Sequence, residues 1–408
     1  MKAPANTPLV WTFTGNAKDI QALLAGSARD LPRPALLCLD RRETTTLLGT
    51  AALNNPEAVT QAAALLRAAV GEAVVITGDE ADYADTPQAS GWLDLPDGAA
   101  PPLTVPGADA VFTASAAAAL AQGFVAMEAI ILARMATADA LRQQALTGLL
   151  QPRPDFAQRS NNLPHFSLPR PTTVSGFAAL SDPDLGLYAV VDSAAWVARV
   201  VTAGVHTVQL RIKDAEGPEH RDFVRQQIRE SIHAATAAGA QLFINDHWQL
   251  AIEEGAYGVH LGQEDLHIAD LAAIRRAGLR LGISTHAYWE VCRAWTLRPS
   301  YIACGPIHPT QAKAMPWVPQ GNDNLAYWCA LLPLPVVGIA GMDATRTEQA
   351  ARAGAAGVAV ISAITAAASP ETAIAQLQEA VRRGRASPPV TAPLFPKPTL
   401  SPTPSPTA

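Results

Sequence analysis

The sequence predicts two α/β regions, and the second of them is a (β/α)8 TIM barrel. Eight short apolar runs, each followed by a helical pattern, alternate strictly through the second half of the chain. Such continuous apolar runs are typical of parallel strands buried on both faces. Glycines end several helical patterns just before the next strand, as a left-handed helix C-terminus requires. Eight such units in about 200 residues fit the short end of the barrel's size range.

The predicted barrel strands end in polar or small residues. They lie at 187–192, 207–213, 241–246, 257–262, 280–285, 301–307, 335–341 and 357–364. The clearest helical patterns between them cover 220–238 and 265–277. Because barrel enzymes build their catalytic face at the C-terminal ends of the strands, the residues that end these runs are the candidates for function.

Proline-rich stretches divide the chain into four parts. Residues 151–184 have many prolines and little apolar periodicity, so they are predicted to be a linker. The last part, 384–408, has proline among serine and threonine and is predicted to be an extended, solvated and disordered tail. The remaining parts are an N-terminal α/β domain at 1–150 and the barrel at 185–383.

Within the N-terminal domain, the most apolar stretch runs from 111 to 136. Gln122, Glu128 and Arg134 interrupt it, whereas a membrane-spanning helix needs about 20 mostly apolar residues. The stretch therefore predicts two buried alanine-rich helices joined around Gly123.

Composition excludes several classes of protein. Hydrophobic residues make up 49% of the 408 residues, which is enough for sizeable cores, and the net charge of −6 argues against a dedicated nucleic-acid binder. The four cysteines are too scattered for a disulfide framework or a zinc cluster: Cys38, Cys292, Cys304 and Cys329. No signal peptide is evident. We therefore expect a cytoplasmic protein without nucleic-acid or membrane partners.

Polar side chains collect at the ends of predicted strands two to six. Gln209, Arg211 and Lys213 alternate along the second strand and so point to one side. The others follow the third to sixth strands: Asn245, Asp246, Asp265, Ser284, Thr310 and Lys313. Two carboxylates beside several cations suit a magnesium ion plus a polyphosphate, because this hard cation takes carboxylate and phosphate oxygens.

Strands seven and eight end in GIAG (338–341) and ISAI (361–364), where side chains barely obstruct the backbone. In many barrels the loops after these strands bind a phosphate through backbone N–H groups. The sequence thus predicts a second, singly phosphorylated ligand.

The order and spacing of the motifs identify a family. QLRIK (209–213), FINDHWQLA (243–251), GVHLGQEDL (258–266), GISTH (282–286), GPIHPTQAK (305–313), VVGIAG (336–341) and GVAVISAI (357–364) resemble thiamine phosphate synthase. The resemblance covers about residues 186–380. It implies that 4-amino-2-methyl-5-hydroxymethylpyrimidine diphosphate is joined to thiazole ethyl phosphate, or its carboxylated form, with release of pyrophosphate. It also implies Mg²⁺ and small phosphorylated substrates. The sequence leaves the oligomeric state open, with a homo-oligomer as one possibility.

The resemblance also implies roles for individual residues. Arg211, Lys213, Ser284 and Lys313 would be catalytic, and Asp246 and Asp265 would ligate Mg²⁺. Substrate would be bound by Gln209, Leu210, Arg211, Ile212, Lys213, Asn245, Ser284, Thr310, Gln311, Ala312, Lys313, Ala340, Ile361 and Ser362. The leaving group would depart to give a pyrimidine-stabilised cation that the thiazole nitrogen traps, so positioning and charge neutralisation would drive catalysis.

Two positions depart from the family pattern. Ala312 replaces the second threonine of a T-x-T-K loop, and Ala340 replaces a glycine where the backbone meets phosphate. Both lie on the thiazole side, so weaker or altered thiazole binding is expected rather than inactivity.

The N-terminal domain resembles a second family more weakly. Residues 11–26 and 105–141 are similar to hydroxymethylpyrimidine phosphate kinase, of the ribokinase-like fold. In that family a GTGC or GTGD anion hole precedes the long helix, whereas this chain has Asp109 and Ala110 there, and the domain is too short. The resemblance therefore implies a truncated, inactive kinase-like domain.

Alternatives remain open for the function and for several residues. A thiazole tautomerase would share the barrel without needing the diphosphate residues, and a non-catalytic thiamine-precursor binding protein would explain the departures. His260 is interpreted as a core or supporting histidine and Cys304 as a small buried side chain, whereas His286 and His308 stay ambiguous.

Overall fold

A computed structural model describes residues 9–27, 30–78, 81–94, 105–168, 175–213, 218–309 and 316–401. The chain forms two compact units. The N-terminal unit comprises Met1–Val174, Ala287–Thr296 and Pro398–Ala408. The barrel unit comprises Ser175–His286 and Leu297–Lys397.

The N-terminal unit contains a mixed sheet whose strands neighbour one another in chain order. The strands are β1 (Val10–Thr12), β2 (Leu36–Asp40), β3 (Val74–Thr77), β4 (Ala81–Asp85), β5 (Ser90–Asp94) and β6 (His165–Ser167). The first three are parallel, and from β3 onward each pair is antiparallel. The N-terminal α/β region that the sequence predicts is therefore present.

Helices connect and cover this sheet. They are α1 (Phe13–Leu24), α2 (Arg41–Leu48), α3 (Pro56–Ala69), α4 (Ala108–Ala121) and α5 (Ala126–Thr147). Asn55 starts α3 by accepting a hydrogen bond from the Ala58 N–H, with proline at the first helical position. The helices α4 and α5 meet around Gly123, whose φ of 90° permits the turn. These are the two alanine-rich helices predicted for this stretch.

The predicted linker is more ordered than its composition indicates. Arg153 pairs with Asp139 of α5, and its backbone N donates to Asp139 Oδ2 at 2.8 Å. Asn162 is fully buried and donates to Asp139 Oδ1 at 3.2 Å. The strand β6 then pairs with β5. Residues 151–168 thus belong to the N-terminal unit, because long-range hydrogen bonds replace the apolar periodicity that the segment lacks.

The barrel unit closes into a cylinder of parallel strands, as predicted. The strands are β7 (Gly186–Val191), β8 (Thr207–Leu210), β9 (Gln241–Asn245), β10 (Gly258–Leu261), β11 (Arg280–Thr285), β12 (Tyr301–Cys304), β13 (Val336–Ile339) and β14 (Gly357–Val360). Each overlaps one of the eight predicted strands. Several end earlier than predicted, so Arg211 and Lys213 lie just beyond the end of β8.

Helices follow the strands around the barrel. They are α6 (Ala194–Thr202), α7 (Pro218–Ala237), α8 (Trp248–Glu253), α9 (Leu271–Arg276), α10 (Tyr288–Leu297), α11 (Gly321–Leu331), α12 (Ala344–Arg352), α13 (Ser362–Thr365) and α14 (Pro370–Ala386). Ser193, Asp270 and Asp343 cap α6, α9 and α12 by accepting backbone hydrogen bonds. Most of α10 belongs by its contacts to the N-terminal unit, where Tyr288 donates to Met135 Sδ at 3.2 Å.

Aromatic side chains fill the barrel interior. Tyr188, Phe243 and Tyr301 are essentially inaccessible to solvent and pack edge to face or tilted against one another, with ring centroids 5.0–6.0 Å apart. Gly282 makes room for one of these rings, because a Cβ there would lie 2.1 Å from the Tyr301 ring. The interior is therefore a packed core, and only the ends of the strands are open to a ligand.

The tail also differs from its prediction as far as the structure describes it. The Lys397 backbone N donates to Asn324 Oδ1 at 2.6 Å. Thr399 is fully buried, and its backbone N donates to Glu128 at 3.2 Å. Up to Ser401, the proline-rich segment is held by these bonds. In the described part of the chain, every helix is too short or too polar to cross a membrane.

Candidate active site

A lysine and a carboxylate meet at the C-terminal ends of β8 and β9. Lys213 Nζ lies 2.6 Å from Asp246 Oδ2, and both side chains are partly exposed. Asp246 has a φ of 60°, in the left-handed region that non-glycine residues rarely adopt. Its backbone N donates to the His260 carbonyl at 3.1 Å, which holds the turn. Strained backbone of this kind is typical of functional sites.

The second predicted metal ligand, Asp265, lies beside the first. Its Oδ2 accepts from the Gly262 N–H at 3.0 Å. Burial raises the pKa of the Asp265 carboxyl, and the negative charge of Asp246 raises it further. A cation bound beside these two carboxylates would favour the charged form of Asp265.

The donor set fits a magnesium ion. Among the residues that the structure describes, no group of three or more His, Cys, Asp or Glu could hold a metal. Asp246 and Asp265 are two carboxylates with hard oxygen atoms that could hold a metal. Magnesium is commonly bound in this way, by one or two carboxylates together with substrate phosphates and water.

Asn245 presents an unused hydrogen-bond donor at the same place. It ends β9, is 5% exposed, and its Nδ2 has no partner among the described residues. Buried side-chain donors almost always have an acceptor. An anionic ligand beside Lys213 would supply one, so Asn245 is suited to bind a phosphate oxygen.

A chain of hydrogen bonds joins two predicted substrate residues through the barrel interior. Gln209 Nε2 donates to the Tyr188 hydroxyl at 3.2 Å, and the Tyr188 and Tyr301 hydroxyls are 2.7 Å apart. Tyr301 Oη lies 2.7 Å from His260 Nδ1, and His260 Nε2 lies 2.8 Å from Ser284 Oγ. Sequence reasoning missed the two tyrosines, which resemble ordinary apolar strand residues and carry no local signal of this role.

His260 is neutral in this setting. Burial lowers the pKa of its imidazole to about 4, and the positive charge of Arg211 acts in the same direction against the negative charge of Asp246. This agrees with the interpretation of His260 as a supporting histidine. Cys304 is likewise buried, which raises the pKa of its thiol to about 12. Both residues are buried within the barrel.

The other predicted substrate-binding residues at the strand ends are either buried or exposed. Leu210 and Ile212 are buried, so only their backbone is available to a ligand. Ile361 is 37% exposed and Ser362 is exposed, at the end of β14. Arg211 is exposed at the end of β8, and its backbone N donates to the Val191 carbonyl at 2.7 Å.

Ala340 has an unusual backbone for its residue type. Its φ is 84° and that of Gly341 is 67°, and the Ala340 carbonyl accepts from the His308 N–H at 3.3 Å. A left-handed conformation costs an L-residue roughly 1–2 kcal/mol relative to glycine. The turn after β13 is therefore built for glycine, and this chain accommodates alanine there at a cost.

The structure gathers most of the predicted site residues at one end of the barrel. We call the group at the ends of β8 to β11 the barrel mouth: Gln209, Lys213, Asn245, Asp246, Asp265 and Ser284. Ala340, Ile361 and Ser362 follow β13 and β14, across the cylinder from β9. Thr310, Gln311, Ala312 and Lys313 lie outside the described residues.

The N-terminal unit has a polar cavity of its own at the C-terminal ends of β1 to β3. It measures about 600 Å³, and its lining includes Thr12, Asp40, Thr77 and Asp109. We call these four residues the N-terminal edge. Gly107, with a φ of 89°, precedes α4, so Asp109 stands in the first turn of that helix. Glu43 nearby is partly buried, which raises its pKa, and the charges of Asp40 and Asp109 raise it further.

Comparisons with known proteins match the barrel half of the chain. The family model described as thiamine monophosphate synthase matches residues 187–364. A thiamine-phosphate synthase of Yersinia pestis (strain Pestoides F) is 53% identical over 194 residues, covering 47% of this chain and 88% of the relative. One of Serratia proteamaculans is 52% identical over 202 residues, covering 48% and 92%. A solved thiamine phosphate pyrophosphorylase from Pyrococcus furiosus is 25% identical, with a TM-score of 0.44, covering 50% and 98%.

These relatives are covered almost completely, so the relationship concerns their whole length and about half of this chain. Such enzymes act on small phosphorylated molecules and use a metal ion. The chain belongs to the thiamine-phosphate synthase family and is a transferase of thiamine biosynthesis.

Proposed function

We propose that the barrel joins 4-amino-2-methyl-5-hydroxymethylpyrimidine diphosphate to thiazole ethyl phosphate or its carboxylated form. The bond between the pyrimidine methylene carbon and the diphosphate breaks, a bond from that carbon to the thiazole nitrogen forms, and pyrophosphate leaves. The observation that carries this proposal is the buried Asn245 amide, whose Nδ2 has no acceptor among the described residues and lies one residue from the ion pair of Asp246 and Lys213. A diphosphate supplies that acceptor.

Asp246 and Asp265 would hold Mg²⁺ in this reaction. The negative charge of Asp246 close to Asp265 and the hard oxygen atoms of both carboxylates support the assignment. Bound magnesium would neutralise the negative charge of the diphosphate as it becomes the leaving group.

The chain's own cations and amide do the remaining work on the diphosphate. Arg211, Lys213 and Lys313 would place positive charge where pyrophosphate gains negative charge, and Asn245 would donate a hydrogen bond to it. Such preorganised donors lower the barrier because they are already oriented when the charge develops. The nucleophile belongs to the second substrate, so the barrel mainly has to align two bound molecules.

The two heterocycles would occupy the two sides of the barrel opening. Gln209 and Ser284 would bind the pyrimidine, with the backbone of Leu210 and Ile212 beside it. Thr310, Gln311 and Ala312 would meet the thiazole. The backbone at Ala340, Ile361 and Ser362 would bind its phosphate. The left-handed φ of Ala340 supports this, because family members have glycine where the backbone approaches phosphate.

The test is product formation by the full chain with both precursors and Mg²⁺. We expect thiamine phosphate and pyrophosphate in equal amounts, and no product without either precursor. Asp270→Asn is a suitable control, because it alters an exposed carboxylate that caps α9 outside the barrel mouth. Binding of both precursors without turnover would favour the binding-protein alternative, and isomerisation of the thiazole alone would favour the tautomerase.

For the other parts of the chain we propose the roles that the sequence predicts. Residues 1–150 would be a shortened hydroxymethylpyrimidine phosphate kinase-like domain without kinase activity, since Asp109 and Ala110 replace its anion hole. ATP-dependent phosphorylation of hydroxymethylpyrimidine phosphate by the full chain would contradict this. The protein would act in the cytoplasm as a homo-oligomer, which light scattering of the purified chain can test.

A further inference from the structure

The hydrogen-bond chain through the barrel has a direction. Gln209 Nε2 can only donate, so the Tyr188 oxygen must accept. If Tyr301 also donated to Tyr188, the buried Tyr188 hydrogen would have no acceptor among the described residues. Tyr188 therefore donates to Tyr301, which in turn donates to His260 Nδ1. Because Nδ1 accepts this bond, the imidazole carries its hydrogen on Nε2 and donates to Ser284 Oγ.

This direction fixes what each end offers to a ligand. The NH₂ group of the Gln209 amide donates to Tyr188 in the barrel interior, so its carbonyl oxygen remains as an acceptor for a ligand. Ser284 Oγ already accepts from His260, so its own hydrogen is free to be donated. The ends are coupled, because rotating the Gln209 amide by 180° would reverse every bond and exchange donor and acceptor. One end therefore always offers the opposite of the other.

We propose that Tyr188, Tyr301 and His260 are positioning residues that tie the hydrogen bonding of Ser284 to that of Gln209, so that Ser284 donates while Gln209 accepts, which selects an aminopyrimidine. The inference rests on the proposed function for its substrate. An aminopyrimidine has an amino donor next to a ring nitrogen acceptor, so it can pair with one acceptor and one donor of this kind.

Packing holds the three connecting groups in place. The Tyr301 ring stacks on His260 with centroids 5.7 Å apart and meets Tyr188 edge to face at 6.0 Å. A Cβ at Gly282 would lie 2.3 Å from the Tyr301 hydroxyl, so glycine is required beside it. Burial raises the pKa of both tyrosines well above the usual value, so both hydroxyls keep their hydrogens and can donate.

The direction can be tested without substrate by ¹⁵N NMR of the histidine side chains in the full chain at pH 7, with His260→Asn identifying the signals. We expect His260 to carry its hydrogen on Nε2 alone, and Tyr301→Phe to give a mixture of tautomers. Tyr257→Phe is the matched control, because its hydroxyl bonds to Gln241 and Ser181 outside the chain of bonds. A hydrogen on Nδ1 in the unchanged protein would overturn the proposal.

Selectivity provides the second measurement. The probe is the 4-oxo analogue of the pyrimidine diphosphate, which reverses donor and acceptor. We expect Tyr301→Phe to reduce the preference in kcat/KM for the amino substrate roughly tenfold, and Tyr257→Phe to preserve it. An equal loss of activity on both substrates would reveal a purely structural role and overturn the proposal. If the unchanged protein formed no product, the proposed function would be wrong. The NMR experiment would still determine the direction of the hydrogen bonds between Gln209 and Ser284.

Discussion

The barrel mouth and the N-terminal edge are both built at the C-terminal ends of parallel strands, yet their polar groups are used differently. In the N-terminal edge, Asp40 Oδ1 accepts a hydrogen bond from the Glu43 N–H at 2.6 Å. The Glu43 carboxylate in turn accepts a hydrogen bond from the Asp40 N–H at 2.9 Å. These carboxylates therefore serve to start α2. In the barrel mouth, Asn245 has a donor left over beside Lys213 and Asp246. The difference teaches that a carboxylate at a sheet edge can serve the fold instead of a ligand, as Asp40 does by starting α2.

The largest expected effect comes from removing charge at the barrel mouth. Lys213→Ala and Asp246→Asn should each lower kcat by about 10²–10³-fold, because each removes stabilisation of the departing pyrophosphate or its metal. Pyrophosphate release measures this directly. Asp40→Asn in the N-terminal edge should leave the rate unchanged. Equal losses in all three variants would abolish the distinction between the two regions.

A buried carboxylate in the N-terminal unit gives the next effect. Burial raises the pKa of Glu128 to about 7 from 4.5, against the opposing hydrogen bonds from Thr399. The folded state therefore binds a proton more tightly than the unfolded state does. The free energy of unfolding should fall by up to about 3 kcal/mol as the pH rises from 4.5 through 7.

Urea unfolding at pH 5 and pH 8, with hydrogen exchange in residues 126–147 as the local probe, measures this loss. In the Glu128→Gln variant that part of the pH dependence should vanish. If the Glu128→Gln variant shows the same dependence of the free energy of unfolding on pH as the unchanged protein, the Glu128 carboxyl does not cause that dependence.

A steric change inside the barrel should have a moderate effect. Gly282→Ala places a Cβ against the Tyr301 ring and should destabilise the protein by about 2 kcal/mol. In the N-terminal unit, Gly15→Ala is the matched control. It would meet only Thr12 Oγ1 at 3.5 Å within α1, and alanine favours a helix. Urea midpoints that shift equally for both variants would contradict the packing of Tyr301.

The smallest effect concerns the thiazole side. Ala340→Gly should stabilise the protein by about 1 kcal/mol, because it relieves a left-handed φ of 84°. It should also lower KM for the thiazole phosphate a few-fold without changing KM for the pyrimidine diphosphate. Steady-state kinetics with each substrate varied in turn measures this. A change confined to the pyrimidine side would show that the two subsites are assigned the wrong way round.

The sequence was sufficient for the barrel and for its polar edge. Apolar runs and strand-end residues such as Lys213, Asn245 and Asp246 are local patterns, and all eight strands lie where these patterns predict them. Tyr188 and Tyr301 could not be assigned a role, because their hydroxyls acquire one only when distant strands bring them together.

In the proline-rich segments, composition predicted less order than the structure shows. Composition predicted a linker and a disordered tail, whereas Asn162 and Thr399 are fully buried and bonded to Asp139 and Glu128 of α5. Bonds between residues so far apart in the chain leave no trace in local composition. The loop residues Thr310 to Lys313 stay predictions, as do the metal and substrate assignments.

The central claim is that the barrel mouth binds a diphosphate with magnesium. Calorimetric titration of the full chain with inorganic pyrophosphate in the presence of Mg²⁺ tests it most directly. We predict one binding site per chain, weakened at least tenfold by Asn245→Ala and abolished without Mg²⁺, while Asp109→Ala leaves it unchanged. Binding that is unaffected by Asn245→Ala, or that is lost on changing Asp109, would contradict the account.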